Sequence, residues 1–182
     1  MPLPSPPLRH WQPAAGSSTA SAALYIKFDG IDGEAKDKDH KDWCDVLSFS
    51  HGFSKPQDPN ASRRRGDVIV EDFVLLHEID KASPKIAEAV LKGTVFPKVE
   101  IHLTASYTDA GRVTYLAYEL KNVSINSYAI SGSGNSEFVP TEEISLSFEE
   151  IKVTYTDHDE AGKVEDIIEF NWKVEEEEGA GG

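Results

Sequence analysis

The chain has 182 residues, 39% hydrophobic and 27% charged, a composition that supports one soluble domain with a sizeable core. Its formal net charge of −14 argues against nucleic acid or anionic membrane as a main partner. A single cysteine, Cys44, excludes an internal disulfide framework, and no apolar run approaches the roughly 18 residues of a membrane span.

Residues 1–22 are rich in proline, serine and alanine without the apolar stretch of a secretory signal, so they read as a disordered leader. Ordered patterning begins at Leu24: Leu24, Ile26 and Phe28 share one face of a strand, with Tyr25 and Lys27 on the other. The polar connection "DGIDGEAKDKDHKD" leads to a second strand, "DVLSFSHGF". There Leu47, Phe49, His51 and Phe53 fall on one side, and Val46, Ser48, Ser50 and Gly52 on the other. "SKPQDPNASRRRG" has no period and reads as an exposed loop of about a dozen residues, longer than a hairpin requires. Strand patterning resumes in "DVIVEDFVLLHEID".

One helix follows, with Ser83 as its cap, Pro84 at its first position, Gly93 as its stop and an apolar stripe of Ile86, Ala89 and Val90. Beyond it, "KVEIHLTASYTDAGRVTYLAYEL" is two alternating runs turning around Asp109, Ala110 and Gly111. Ile144, Leu146 and Phe148 share a face, and a parity slip at Glu149 and Glu150 reads as a β-bulge before Ile151, Val153 and Tyr155. Ile168, Phe170, Trp172 and Val174 make the last strand, and 176–182 reads as an acidic, glycine-rich tail. Eight or nine strands with one short helix predict a mainly β fold, a closed two-sheet β-barrel over 23–175.

The search for chemistry yields no catalytic, metal or cofactor residue. "ISGSGNSE", residues 130–137, has two glycines two apart, but the position three beyond Gly134 is Glu137, and strand rather than helix follows. A phosphate cradle needs the opposite of both. The six histidines include no pair at helical spacing, and Asp45 beside Cys44 disfavours a thiolate. Asp157, Asp159 and Gly162 match part of a calcium loop, yet its twelfth position is Ile168 where a glutamate is required.

Several segments taken together resemble a known family. "LYIKFDGIDGEAKDKDHKDWCDVLSFSHGF", "VEDFVLLHEIDKASPKIAEAVLKG" and "ISGSGNSEFVPTEEISLSFEEIKVTYT" resemble the haemolysin-coregulated proteins, Hcp, of type VI secretion, over about residues 24 to 174. The resemblance implies a tube protein and no enzyme. It implies a homohexameric ring that stacks into the inner tube of a contractile device and is driven out by sheath contraction, carrying effectors. The implied partners are further copies of the chain, VgrG-type spike, baseplate and sheath proteins, and effector proteins. The implied location is the cytoplasm before firing and the exterior afterwards, with no cleaved signal peptide. The alternatives are a tail-tube protein of a phage or extracellular contractile particle and, from a different class, a small carbohydrate-binding β-sandwich.

Two surfaces follow from this reading. The loop Ser54, Lys55, Pro56, Gln57, Asp58, Pro59, Asn60, Ala61, Ser62, Arg63, Arg64, Arg65 and Gly66 occupies the family's extended loop, and its three arginines in an acidic chain mark it for ring-to-ring stacking. Ser48 and Ser50 alternate with apolar residues, so they face away from the core, and their small side chains suit a lumen that contacts cargo.

Overall fold

The structure is a computed structural model that describes residues 22–55, 68–107, 110–134 and 137–174. The expected leader up to residue 21, the acidic tail and most of the stacking loop therefore lie outside the described residues. In chain order the elements are β1 (Ala23–Phe28), β2 (Cys44–Val46), β3 (Ser48–Ser50), β4 (Phe53–Ser54), β5 (Ile69–Val70), β6 (Phe73–Glu78), α1 (Ser83–Lys92), β7 (Val95–Tyr107), β8 (Gly111–Ser131), β9 (Thr141–Ser147), β10 (Glu150–His158) and β11 (Val164–Lys173).

Among the described residues the fold is mainly β with one short helix, as the patterning predicts, but the sheet does not close into a barrel. A 9-stranded sheet runs β2-β1-β7-β8-β9-β6-β3 with β10 and β11 branching from β8, and β4-β5 form a separate pair. The end strands β2 and β3 are separated in sequence by Leu47 alone. One pairs with β1 and the other with β6, so the ladder ends where the chain changes partner. That change also breaks the alternation expected in "DVLSFSHGF". Val46 is buried, whereas Leu47 turns outward at 51% exposure and donates its N–H to Leu76 O at 2.8 Å. Phe49 points inward and stacks on Phe73, with ring centroids 5.2 Å apart. Alternation is restored there, leaving Ser48 and Ser50 exposed.

The 21-residue β8 organises the molecule. Its N-terminal half pairs with β10 and its C-terminal half with β9, while β7 covers the other side of most of its length. The parity slip after Phe148 is not a bulge: β9 and β10 keep one register along β8 (Ser147↔Ser124, Glu150↔Lys121), while the outer neighbour changes from β6 to β11. Between the two halves lies a core that includes Ile26, Phe28, Phe73, Leu75, Val99, Ile101, Leu120, Ile144, Leu146 and Ile151.

The helix stops as predicted: Gly93 is left-handed at φ 64°, where a side chain is unfavourable. Its start differs. Ser83 lies inside the first turn and its Oγ accepts from the Asp80 N–H at 3.0 Å, while Asp80 Oδ1 accepts from the Ala82 N–H at 2.7 Å. Asp80 therefore makes the turn that the sequence assigns to Ser83. In "ISGSGNSE" the glycine at 132 is a packing requirement, since a Cβ there would lie 2.9 Å from the Pro140 ring.

Candidate functional site

Two sheet faces and two buried polar groups stand out. The first face is the outer side of β3-β6-β9 and the C-terminal half of β8. Residues facing the core on these strands are mostly apolar, with His77 and Glu142 as buried exceptions, so period-two geometry places the intervening ones outward. The pairings Ser50↔Val74, Val74↔Ser145 and Ser145↔Ser127 form one cross-strand row, and Ser48↔Leu76, Leu76↔Glu143 and Glu143↔Ala129 form the next. Asp72 Oδ2 accepts from Ser145 Oγ at 2.6 Å and from Asn126 Nδ2 at 2.9 Å, which holds one end of this face in place. The predicted Ser48 and Ser50 are thus the margin of a larger hydroxyl-rich surface. Sequence reading missed Ser127 and Ser145, because they join Ser50 only through pairings across 77 to 95 residues of chain.

The second face is an apolar overhang. The core-facing rows of the sheet continue through β10 onto β11: Ile26↔Ile101, Ile101↔Tyr118, Tyr118↔Val153 and Val153↔Phe170 are successive pairs. Burial falls away along the row, from Ile26 at 0% exposure to Phe170 at 48%. Ile168 and Trp172 are likewise 62% and 46% exposed. Among the described residues no opposing strand covers this end, so an inward-facing pattern ends on exposed surface. Phe53 of β4 touches the margin, 6.3 Å from Phe170. The reverse face of the arm is laced with ions, Lys152 to Glu169 at 2.8 Å and Lys173 to Glu150 at 3.1 Å, which discourages unwanted strand pairing at this edge.

Beneath α1, His77 and Glu142 are directly opposed on β6 and β9, and both are buried. His77 Nε2 lies against Glu142 Oε1, and Tyr128 donates its hydroxyl to Glu142 Oε2 at 2.5 Å. Burial alone would raise the Glu142 carboxyl, but the contacts from His77, Tyr128 and Ser83 outweigh it and hold the carboxyl below its ordinary value. Burial, with the hydrogen bond and charge of Glu142, pushes Tyr128 up to about 12. Cys44 is buried and its thiol pushed far up by burial, with Asp80 adding to it, so it is inert at neutral pH. His77 and Glu142 support the fold; they are 65 residues apart, and their pairing becomes visible only in the sheet.

Of the predicted stacking loop only Ser54 and Lys55 are described. Ser54 pairs with Ile69 in the β4-β5 ladder, so the loop is pinched at its base. Gln57 to Gly66, with Pro56, lies outside the described residues.

The described residues of this β-sheet protein thus present two candidate surfaces, one hydroxyl-rich and one apolar. Residues 25–155 match the family described as "Type VI secretion system effector, Hcp", and the chain belongs to that family. It is 28% identical over 154 residues to Protein hcp1 of Pseudomonas aeruginosa, covering 83% of this chain and 94% of that protein. It is also 27% identical over 135 residues to the Major exported protein of the same organism, covering 71% and 77% respectively. A solved structure of a type six secretion system protein superposes with a TM-score of 0.77 at 27% identity, covering 85% of this chain and 96% of that one. The family comprises secreted type VI components and is not a known enzyme family.

Proposed function

We propose that this protein is a tube subunit of type VI secretion: six copies form a ring, rings stack into the inner tube, and the tube carries effectors when the sheath contracts. The observation that supports ring formation is the overhang of Ile168, Phe170 and Trp172, an apolar core row left open at the edge of the molecule. A neighbouring copy laid against it would complete the core layer. Mass photometry of the purified chain at micromolar concentration tests this. A ring near six times 20.0 kDa is the expected species, and a population consisting only of the 20.0 kDa chain would overturn the reading.

In this reading the hydroxyl-rich face lines the lumen, where Ser48 and Ser50 meet cargo. Small hydroxyl side chains keep the bore wide and offer hydrogen bonds of about 0.5–1.5 kcal/mol each, repeated around the ring. Ser50→Gln is expected to leave ring assembly intact and to lower the amount of effector that copurifies. Normal rings with undiminished cargo would count against a lumenal β3.

Stacking falls to the loop from Ser54 to Gly66. Arg63, Arg64 and Arg65 meet acidic groups on the next ring, each exposed pair contributing about 0.2–1 kcal/mol. The contacts act together because symmetry repeats them. Replacing all three arginines by serine is expected to preserve rings while reducing tube length under electron microscopy. Tubes as long as those of the unaltered protein would remove the arginines from the contact. Spike, baseplate and sheath proteins complete the set of partners.

A further inference from the structure

The connection between β1 and β2 folds back on itself. Gly33 N–H donates to Asp42 O at 2.9 Å and Ala35 N–H to Trp43 O at 2.8 Å, which brings residues 33–35 alongside 42 and 43. The tip of this fold is pinned by His40, which is buried. Its ring stacks on Tyr25 of β1 with centroids 4.4 Å apart and meets the edge of Trp43 at 5.0 Å. Tyr25, on the face opposite Ile26 and Phe28, is buried because this connection covers it. His40 Nδ1 lies 2.8 Å from Asp37 Oδ1 and Nε2 lies 2.9 Å from His102 Nδ1 on β7.

We infer that Asp37, His40 and His102 form an acid-released latch, holding the β1–β2 connection against β7 until the two imidazoles carry a proton each more than the neutral pair. The inference comes from counting hydrogens. In the neutral pair His40 Nδ1 donates to Asp37, so Nε2 accepts, and His102 Nδ1 donates to it. One added proton is tolerated: His40 then donates from both nitrogens and His102 Nδ1 becomes the acceptor. A second proton places an N–H on each side of the 2.9 Å contact, with no lone pair between them, and the contact must open.

The surroundings agree with this count. Burial, then the charge of His40, holds the His102 imidazole down to about 4, Glu100 acting in the opposite direction and Lys98 in the same one. Burial would raise Asp37, but the hydrogen bond from His40, the Asp39 amide and the charges of His40 and Arg112 keep it below the usual carboxylate range, so it remains an acceptor. Asp45 of β2 and Arg112 of β8 also face Tyr25. Opening would uncover Tyr25 and Trp43 and free a tip that carries Lys36, Lys38 and Lys41. It would also loosen the pairing of β1 with β2, the strand that leads through Leu47 to Ser48 and Ser50. The latch needs only a single copy of the chain, so it stands apart from the ring reading.

Amide hydrogen exchange of the full chain, corrected for the intrinsic pH dependence, tests the latch. An open state with ordinary histidines binds at least one more proton than the closed one. Opening of residues 33–43 should therefore rise by about tenfold or more per unit between about pH 6 and pH 4, while β7 stays protected. His102→Asn supplies an amide that donates to the neutral His40 Nε2 and, turned over, accepts from the protonated one without itself taking up a proton, and is expected to flatten this dependence. The proposal is overturned if protection of 33–43 does not change over that range, or if 33–43 and β7 lose protection together. An identical pH response in His102→Asn would also overturn it. Should that variant fail to fold, the comparison of 33–43 with β7 in the unaltered protein decides alone.

Discussion

Glu142→Ala is expected to lower the unfolding free energy by about 2–5 kcal/mol, because it removes a buried carboxylate and leaves two buried groups, the His77 imidazole and the Tyr128 hydroxyl, without it. His77 would keep its burial without its carboxylate, and the Tyr128 hydroxyl would lose the acceptor it now reaches at 2.5 Å. Urea unfolding at neutral pH measures the loss, and in a chain of this size it corresponds to a drop in Tm of roughly 10 °C. His77→Leu combined with Glu142→Leu should cost much less than the single change, since well-packed apolar residues need no partner. The same pair gives a pH dependence of definite sign. The folded Glu142 carboxyl titrates below its ordinary value of 4.5, so its stabilisation is complete above that pH and is lost as pH falls through the lower folded value. The gap between wild type and Glu142→Ala should therefore narrow in acid. A single-variant loss below about 1 kcal/mol, or a double variant as unstable as the single, would show that the pair contributes no more than an ordinary hydrogen bond.

The double change Phe170→Glu and Trp172→Glu is expected to convert rings into single chains of 20.0 kDa at micromolar concentration. Each large apolar side chain covered by a neighbour contributes about 1.5–3 kcal/mol. In the proposed ring the two changes would remove both contributions from every interface and leave buried carboxylates there. The chain itself should be little affected, within about 0.5 kcal/mol per site, because every residue of β11 is exposed. Circular dichroism and a thermal melt of the variant separate the two effects: an unchanged melt with lost rings supports the overhang as the interface. Rings that persist with an unchanged melt would place the interface elsewhere and leave the apolar row of β11 without a role in assembly.

Much of this could be read from the chain alone. Alternation in β1, β6, β7 and β9 marks their buried faces because a half-buried strand must repeat with period two. Gly93 marks the end of α1 because a left-handed residue there is best without a side chain. The phosphate reading of "ISGSGNSE" fails on sequence grounds, and the long segments that resemble Hcp already pointed to the family that residues 25–155 match.

What tertiary structure decided are the matters that depend on partners distant in sequence. Alternation says that Ile168, Phe170 and Trp172 share a face with the core, but only the reach of the opposing sheet determines that this face is left uncovered. The shift at Leu47 and the break after Phe148 arise where a strand exchanges one neighbour for another, and local patterning carries no record of which neighbour that is. Ser83 could not be told from a cap without the position of Asp80. His77 meets Glu142, and His40 meets His102 across 62 residues, because cross-strand register and a folded-back connection bring them together. Periodicity reports which side of a strand is apolar; long-range pairing determines what, if anything, lies against it.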